Sequence, residues 1–173
     1  MIWRDPASTS LALGDYRCGS DYRVVRRRGA SNWLILATEA GGGRLRRRSV
    51  DLRCRPGSII AIAPGVPQDY ATDPAVGTWV FTWAHVRPPS EWLPLLAWPE
   101  VLPGIHRAPS PPSTVFATVV HLLREGVAWE AAGGLGARTL AGLRLHEALL
   151  HLARTHPGPA PLDGPRGEGP GAA

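Results

Sequence analysis

Lysine is absent: all 19 basic residues are arginine. Without it there is no Schiff-base amine and no phosphate-loop ammonium, and the enzyme classes built on them fall away. Cysteine occurs only at Cys18 and Cys54, too few for a four-thiolate zinc site. No apolar run approaches the roughly 18–20 residues that cross a bilayer, and the N-terminal residues carry no apolar signal core. No membrane contact and a cytoplasmic location are therefore expected. GxSxG, CxxC and His-x-His patterns are also missing. HEALLH places His146 and His151 five apart, about 140° out of line on a helix, where a zinc-binding pair needs a spacing of four. No metal, cofactor or catalytic residue is assigned.

What is present is one domain's worth of chain, 173 residues with 44% hydrophobic and 19% charged residues. The net charge of +5 is uneven. Residues 1–60 hold 12 Arg against 5 acids, +7, and the remainder holds 7 against 9, −2. A period-two pattern runs through short apolar stretches and predicts strands over 22–27, 33–38, 44–47, 50–54, 58–63, 68–72 and 78–86. Helices are predicted over 113–127, with Ser113 as cap, and over 138–154. The fold class is mainly β with C-terminal helices: a jelly-roll barrel followed by two α-helices. The chain divides into an arm at 1–21, a barrel at 22–107, a helical region at 108–155 and a Pro/Gly-rich linker or disordered tail at 156–173.

Two segments carry chemistry. In TWVFTWAHV, Trp79, Phe81, Trp83 and His85 share one face, and a row of flat rings inside a barrel offers a surface for the apolar face of a sugar. Arg26 shares a strand face with Tyr22 and Val24, so it turns inward if they do. An interior guanidinium requires a carboxylate, carbonyls or a polyhydroxylated ligand. RPGSIIAIAPGVPQDY has the two-turn build of a small cupin barrel. Gln68 and Asp69 stand where a metal-binding cupin carries histidine, which argues against a metalloenzyme. The arginines of 44–48 surround a hairpin turn without interleaved aromatics and read as solvated surface. They allow at most weak, salt-sensitive attachment to DNA. On the second helix Ala141, Leu145, Ala148, Leu149 and Leu152 form one stripe, and Leu140, Leu143 and Leu150 lie off it. This second apolar face is either covered within the chain or shared with a second copy.

The ordered set Arg26, Cys54–Arg55–Pro56–Gly57, Pro64–Gly65, Tyr70, Pro74, Trp79, Trp83, Arg87–Pro88, Trp92 and Trp98–Pro99 resembles the N-terminal domain of AraC/XylS-type transcription regulators. The likeness is to the arabinose-binding, dimerising cupin-like kind, and it covers about residues 20–155. It implies a monosaccharide in the barrel, contacted by Arg26, Tyr70 and a stacking Trp83. Phe81 stands where that family has a sugar-binding histidine, so a drier pocket and a ligand with fewer hydroxyls than arabinose are expected. It also implies a homodimer through the last helix, with Leu140, Leu143, Arg144, Glu147, Leu150 and His151 on the shared face. The family reads DNA with a C-terminal helix-turn-helix pair. Nothing after Arg154 has that character, so DNA recognition is expected only through a module outside this sequence. Two other readings remain open: a metal-independent cupin-fold sugar enzyme, and a dimerisation decoy that binds no sugar.

Overall fold

The computed structural model describes residues 9–155. The expected 156–173 tail and residues 1–8 of the expected arm lie outside the described residues.

Ten strands form two antiparallel sheets. β1 (Leu11–Cys18), β3 (Trp33–Gly41), β6 (Ile59–Ile62), β8 (Trp79–Val86), β9 (Glu100–Leu102) and β10 (Ile105–Arg107) make a six-stranded sheet in the order β1-β8-β3-β6-β10-β9. β2 (Arg23–Arg26), β4 (Gly43–Arg47), β5 (Val50–Cys54) and β7 (Gln68–Thr72) make a four-stranded sheet in the order β2-β7-β4-β5. The two sheets face one another as a jelly roll. Two helices, α1 (Ser113–Ala132) and α2 (Ala137–Thr155), cover the outer face of the larger sheet.

The larger sheet is therefore buried on both faces, and its strands read as continuous apolar runs, WLILA and IIAI. Leu34, Leu36, Ile60, Ile62, Trp79 and Phe81 point into the barrel. Ile35, Ala37, Ile59, Ala61, Ala84 and Val86 point toward the helices. Opposite them α2 presents Ala141, Leu145, Ala148, Leu149 and Leu152, the stripe expected from sequence, all buried.

Each helix ends for a local reason. Pro109, Pro111 and Pro112 precede α1 and exclude an earlier start. Pro112 rather than Ser113 occupies the cap position, and no side chain caps the helix. Ser113 is thus the first helical residue, because the extended backbone forced on the residue before it (φ −51°, ψ 147°) belongs to proline. The helix continues five residues past the expected end and stops at Gly133, whose positive φ of 64° returns its N–H to the carbonyl of Trp129. Midway, Gly126 faces both α2 and β1. A Cβ there would lie 2.8 Å from Leu13 and 3.4 Å from the Ala141 carbonyl, so glycine sets how closely the layers approach.

The expected arm is the main difference from the sequence reading. Leu11–Cys18 pairs along its whole length with β8 and is an edge strand of the sheet. Its inward residues Leu11 and Leu13 pack against the helices, and the Leu13 amide donates to Glu130 of α1.

Candidate ligand-binding site

β8 supplies the back wall of a cavity inside the barrel. Its register with β1 sets Gly14 opposite Trp83 and Tyr16 opposite Phe81. The Trp83 indole lies across Gly14, where a Cβ would come within 2.4 Å of the ring. A second indole, Trp79, lies across Gly43 of β4 in the same way, at 2.3 Å. Trp79 is stacked against Phe81 with centroids 4.1 Å apart, and its Nε1 donates to Thr38 Oγ1. Both are sealed from solvent, whereas Trp83 is half-buried and lines the open space. The Trp83 Nε1 is buried and has no hydrogen-bond partner among the described residues.

The opposite wall is polar at one point. Tyr22, Val24 and Arg26 share the inner side of the β2 segment, paired with Tyr70 and Gln68 of β7. Arg26 Nη1 donates to Gln68 Oε1 at 3.0 Å and to Tyr70 Oη at 3.1 Å. No carboxylate among the described residues lines this cavity, and within them the guanidinium is held by the neutral acceptors Gln68 and Tyr70. Burial pushes the Tyr70 phenol upward against the pull of the Arg26 charge, and burial raises Tyr22 further still. Both phenols are therefore neutral near pH 7 and can donate as well as accept. Gln68 is 2% exposed, and its Nε2 is left without a partner among the described residues.

The space enclosed is about 210 Å³, bounded by Phe81, Trp83 and His85 from β8, Tyr16 from β1, Val24 and Arg26 from β2 with Tyr22 just before it, and Tyr70 from β7. That is below the roughly 300–1,000 Å³ of pockets that take drug-sized ligands, and suits a small molecule. Flat rings on one side and clustered donors on the other can hold a compact ring by stacking and hydrogen bonding.

The structure thus brings Arg26, Tyr70, Phe81 and Trp83 to one cavity. Tyr16, Tyr22 and His85 join them and were not singled out as ligand contacts. Tyr22 and His85 share strand parity with residues that were. Tyr16 lies in the segment taken for an arm, where the alternation Ala12, Gly14, Tyr16 is masked by glycine. His85 Nδ1 meets Asn32 Oδ1 at 2.7 Å, and the Asn32 amide reaches the Thr9 carbonyl. Asp69 points away from the cavity to a two-pronged pair with Arg23, which holds its carboxyl below the usual range. His146 stacks on Trp92 at 4.3 Å. Among the described residues no group of three or more His, Cys, Asp or Glu forms a metal-binding cluster.

On α2, Leu140, Leu143 and Leu150 are 37%, 54% and 44% exposed, so the described residues leave this second apolar face largely open. Arg144, beside them, pairs with Glu125 of α1 and Glu147 of its own helix, and His151 is half-buried.

The sequence matches the AraC-like ligand-binding domain over residues 14–151. This chain belongs to that family. No curated protein matches it. Among solved structures, an apo variant of ToxT from Vibrio cholerae aligns over 85% of this chain and 57% of its own length, at 6% identity and a TM-score of 0.56. ToxT from Vibrio cholerae bound to (E)-4-(8-methylnaphthalen-1-yl)but-3-enoic acid aligns over 84% and 57%, at 10% identity and a TM-score of 0.51. A cupin-like protein from Thermotoga maritima aligns over 44% and 57%, at 16% identity and a TM-score of 0.40. The chain spans about half the length of the structures it matches. At these identities the likeness is one of fold. The AraC-like ligand-binding domain here is a two-sheet jelly roll with its cavity between the sheets and its helices on the far side of the larger one.

Proposed function

We propose that this AraC-like domain is the ligand-sensing and dimerising part of a cytoplasmic transcription regulator. It binds a small sugar-like molecule in the barrel, and DNA is read by a module outside this sequence. The observation that carries the reading is the Arg26 guanidinium, held by Gln68 and Tyr70 and facing an indole across a cavity that no carboxylate among the described residues lines. The ring face of the ligand lies on Trp83, and Arg26 and Tyr70 donate to its oxygens. Phe81 keeps the floor dry, which favours a deoxy sugar or aryl glycoside over arabinose. The same uncompensated charge favours a second reading, a flat apolar carboxylate of the kind ToxT holds. The domain acts as a binder and not as an enzyme, and turnover of any bound compound would overturn that. Dimerisation uses the uncovered leucines of α2, flanked by Arg144, Glu147 and His151.

Tryptophan fluorescence of the whole chain, titrated with sugars, aryl glycosides and arylalkyl carboxylates, tests the site, with Trp83→Phe identifying the reporting ring. Arg26→Ala should weaken binding about 10- to 150-fold, the cost of one charge-assisted hydrogen bond. Phe81→His should shift preference toward arabinose. The site is wrong if the full library gives no saturable change, or if Arg26→Ala binds as the parent does. Sedimentation should show a dimer that Leu143→Asp dissociates, and a parent that stays monomeric at high concentration removes the dimer.

A further inference from the structure

The larger concentration of positive charge lies outside the barrel, at the end of the smaller sheet. Arg27, Arg46, Arg47 and Arg48 line a cleft of about 280 Å³ whose only carboxylate among the described residues is Asp69. Four guanidiniums against one carboxylate leave +3 there, out of +5 for the chain. Asp69 is already gripped by Arg23, and Arg46 shares Asp51 with Arg44. Among the described residues Arg27, Arg47 and Arg48 make no ion pair, and the buried Nε of Arg47 has no partner.

The hairpin tip adds a second observation. Arg47 pairs with Val50, so Arg48 and Ser49 form a two-residue turn. Arg48 holds a φ of 55°, the only positive φ of a non-glycine residue among those described. Hairpin turns of this length favour Asn or Gly at such positions, and an arginine there carries a conformational cost that its charge must offset elsewhere.

We propose that this cleft docks the phosphate backbone of double-stranded DNA without reading its sequence. Three net charges exceed what one phosphate group would balance, so the occupant carries several phosphates in a row. Arginine forks match phosphate oxygens in pairs. No aromatic side chain among the described residues lines the cleft, so they offer no stacking platform of the kind single strands use. Exposed apolar residues nearby are only Val25 and Val50, too little to anchor in a lipid interface. A sheet surface offers no helix to enter a groove, so contact stops at the backbone. The cleft shares no lining residue with the ligand cavity, so its docking of phosphates does not depend on what that cavity binds.

The test is fluorescence anisotropy of the full chain with labelled duplexes of about 20 base pairs and two unrelated sequences, over roughly 50–200 mM salt. Both duplexes should bind alike, weakening roughly 40-fold across that range, as expected for about three neutralised phosphates at a slope near 0.9 each. Arg47→Ser with Arg48→Gly should reduce the slope by about 2, while the melting temperature holds or rises because glycine accepts the positive φ. Arg27→Ser, which leaves the turn intact, should reduce it by about 1, and Arg154→Ser on α2 should leave it unchanged. The proposal fails if no duplex binds at the lowest salt, or if both cleft variants keep the parent slope. Tighter binding to single strands or to phosphatidylserine vesicles than to duplex would also overturn it.

Discussion

The larger sheet separates two cores of opposite character. On the helix side every fully buried residue of the cluster is aliphatic, from Leu11 and Ile35 to Leu145 and Leu152. On the barrel side Tyr70, Trp79, Phe81 and Cys54 are buried, with Tyr22 and Trp83 packed against them and Gln68 sealed among them. Titratable groups that burial displaces upward follow the same division. Burial raises Tyr22, Tyr70 and Cys18, and it pushes the Cys54 thiol up to about 12, all on the barrel side. The helix side maximises burial of apolar surface and stabilises the fold. The barrel side leaves donors unpaired, a cost that a fold would not retain for stability alone.

Truncation on the helix side should give the largest effect. Leu145→Ala removes a side chain 1% exposed at the centre of that core and should destabilise by about 2–5 kcal/mol in urea unfolding, leaving ligand-induced fluorescence changes in place. A loss under about 1 kcal/mol would erase the distinction. Next comes the seam between indole and strand. Gly14→Ala forces its methyl into Trp83 and should cost about 1–3 kcal/mol while changing the Trp83 emission, because the ring must leave its shelf. An unchanged spectrum would mean that the ring is not held there. The smallest effect is alkaline. With phenol values raised in the folded state, the native protein keeps protons that the unfolded chain has already released, so stability falls as pH rises above the ordinary value of 10. Tyr22→Phe should flatten that decline, and an unaltered profile would remove Tyr22 as its source.

Much of this contrast was legible in the sequence, because strand parity is a strict period of two. TWVFTWAHV announces which of its side chains face the barrel, and the parity of Tyr22, Val24 and Arg26 turns the arginine inward with no knowledge of its partners. The α2 stripe was equally plain. β1 was not, since Gly14 interrupts its apolar face and Asp15 and Arg17 lend it the look of a surface loop. Its pairing with β8 depends on an indole seventy residues away filling the space above that glycine. β9 and β10 are three residues each and join around Pro103–Gly104, too short for any periodicity. The Arg26–Gln68–Tyr70 contact is a matter of register between distant strands, which alternation alone does not fix.

The position of β8 has a consequence for how slowly different parts of the cavity exchange their amide hydrogens. β8 is bonded to β1 and β3 along its two edges and covered on both faces, and β7 is bonded to β2 and β4. Their amides should open only with global unfolding. β1 and β2 each lie at an edge of their sheet; they carry Tyr16 and Arg26, and Tyr22 immediately precedes β2. Each wall of the cavity thus pairs an edge strand that opens locally with an inner strand that opens only when the whole fold is lost, so deuterium will enter this site from the side of its two edge strands.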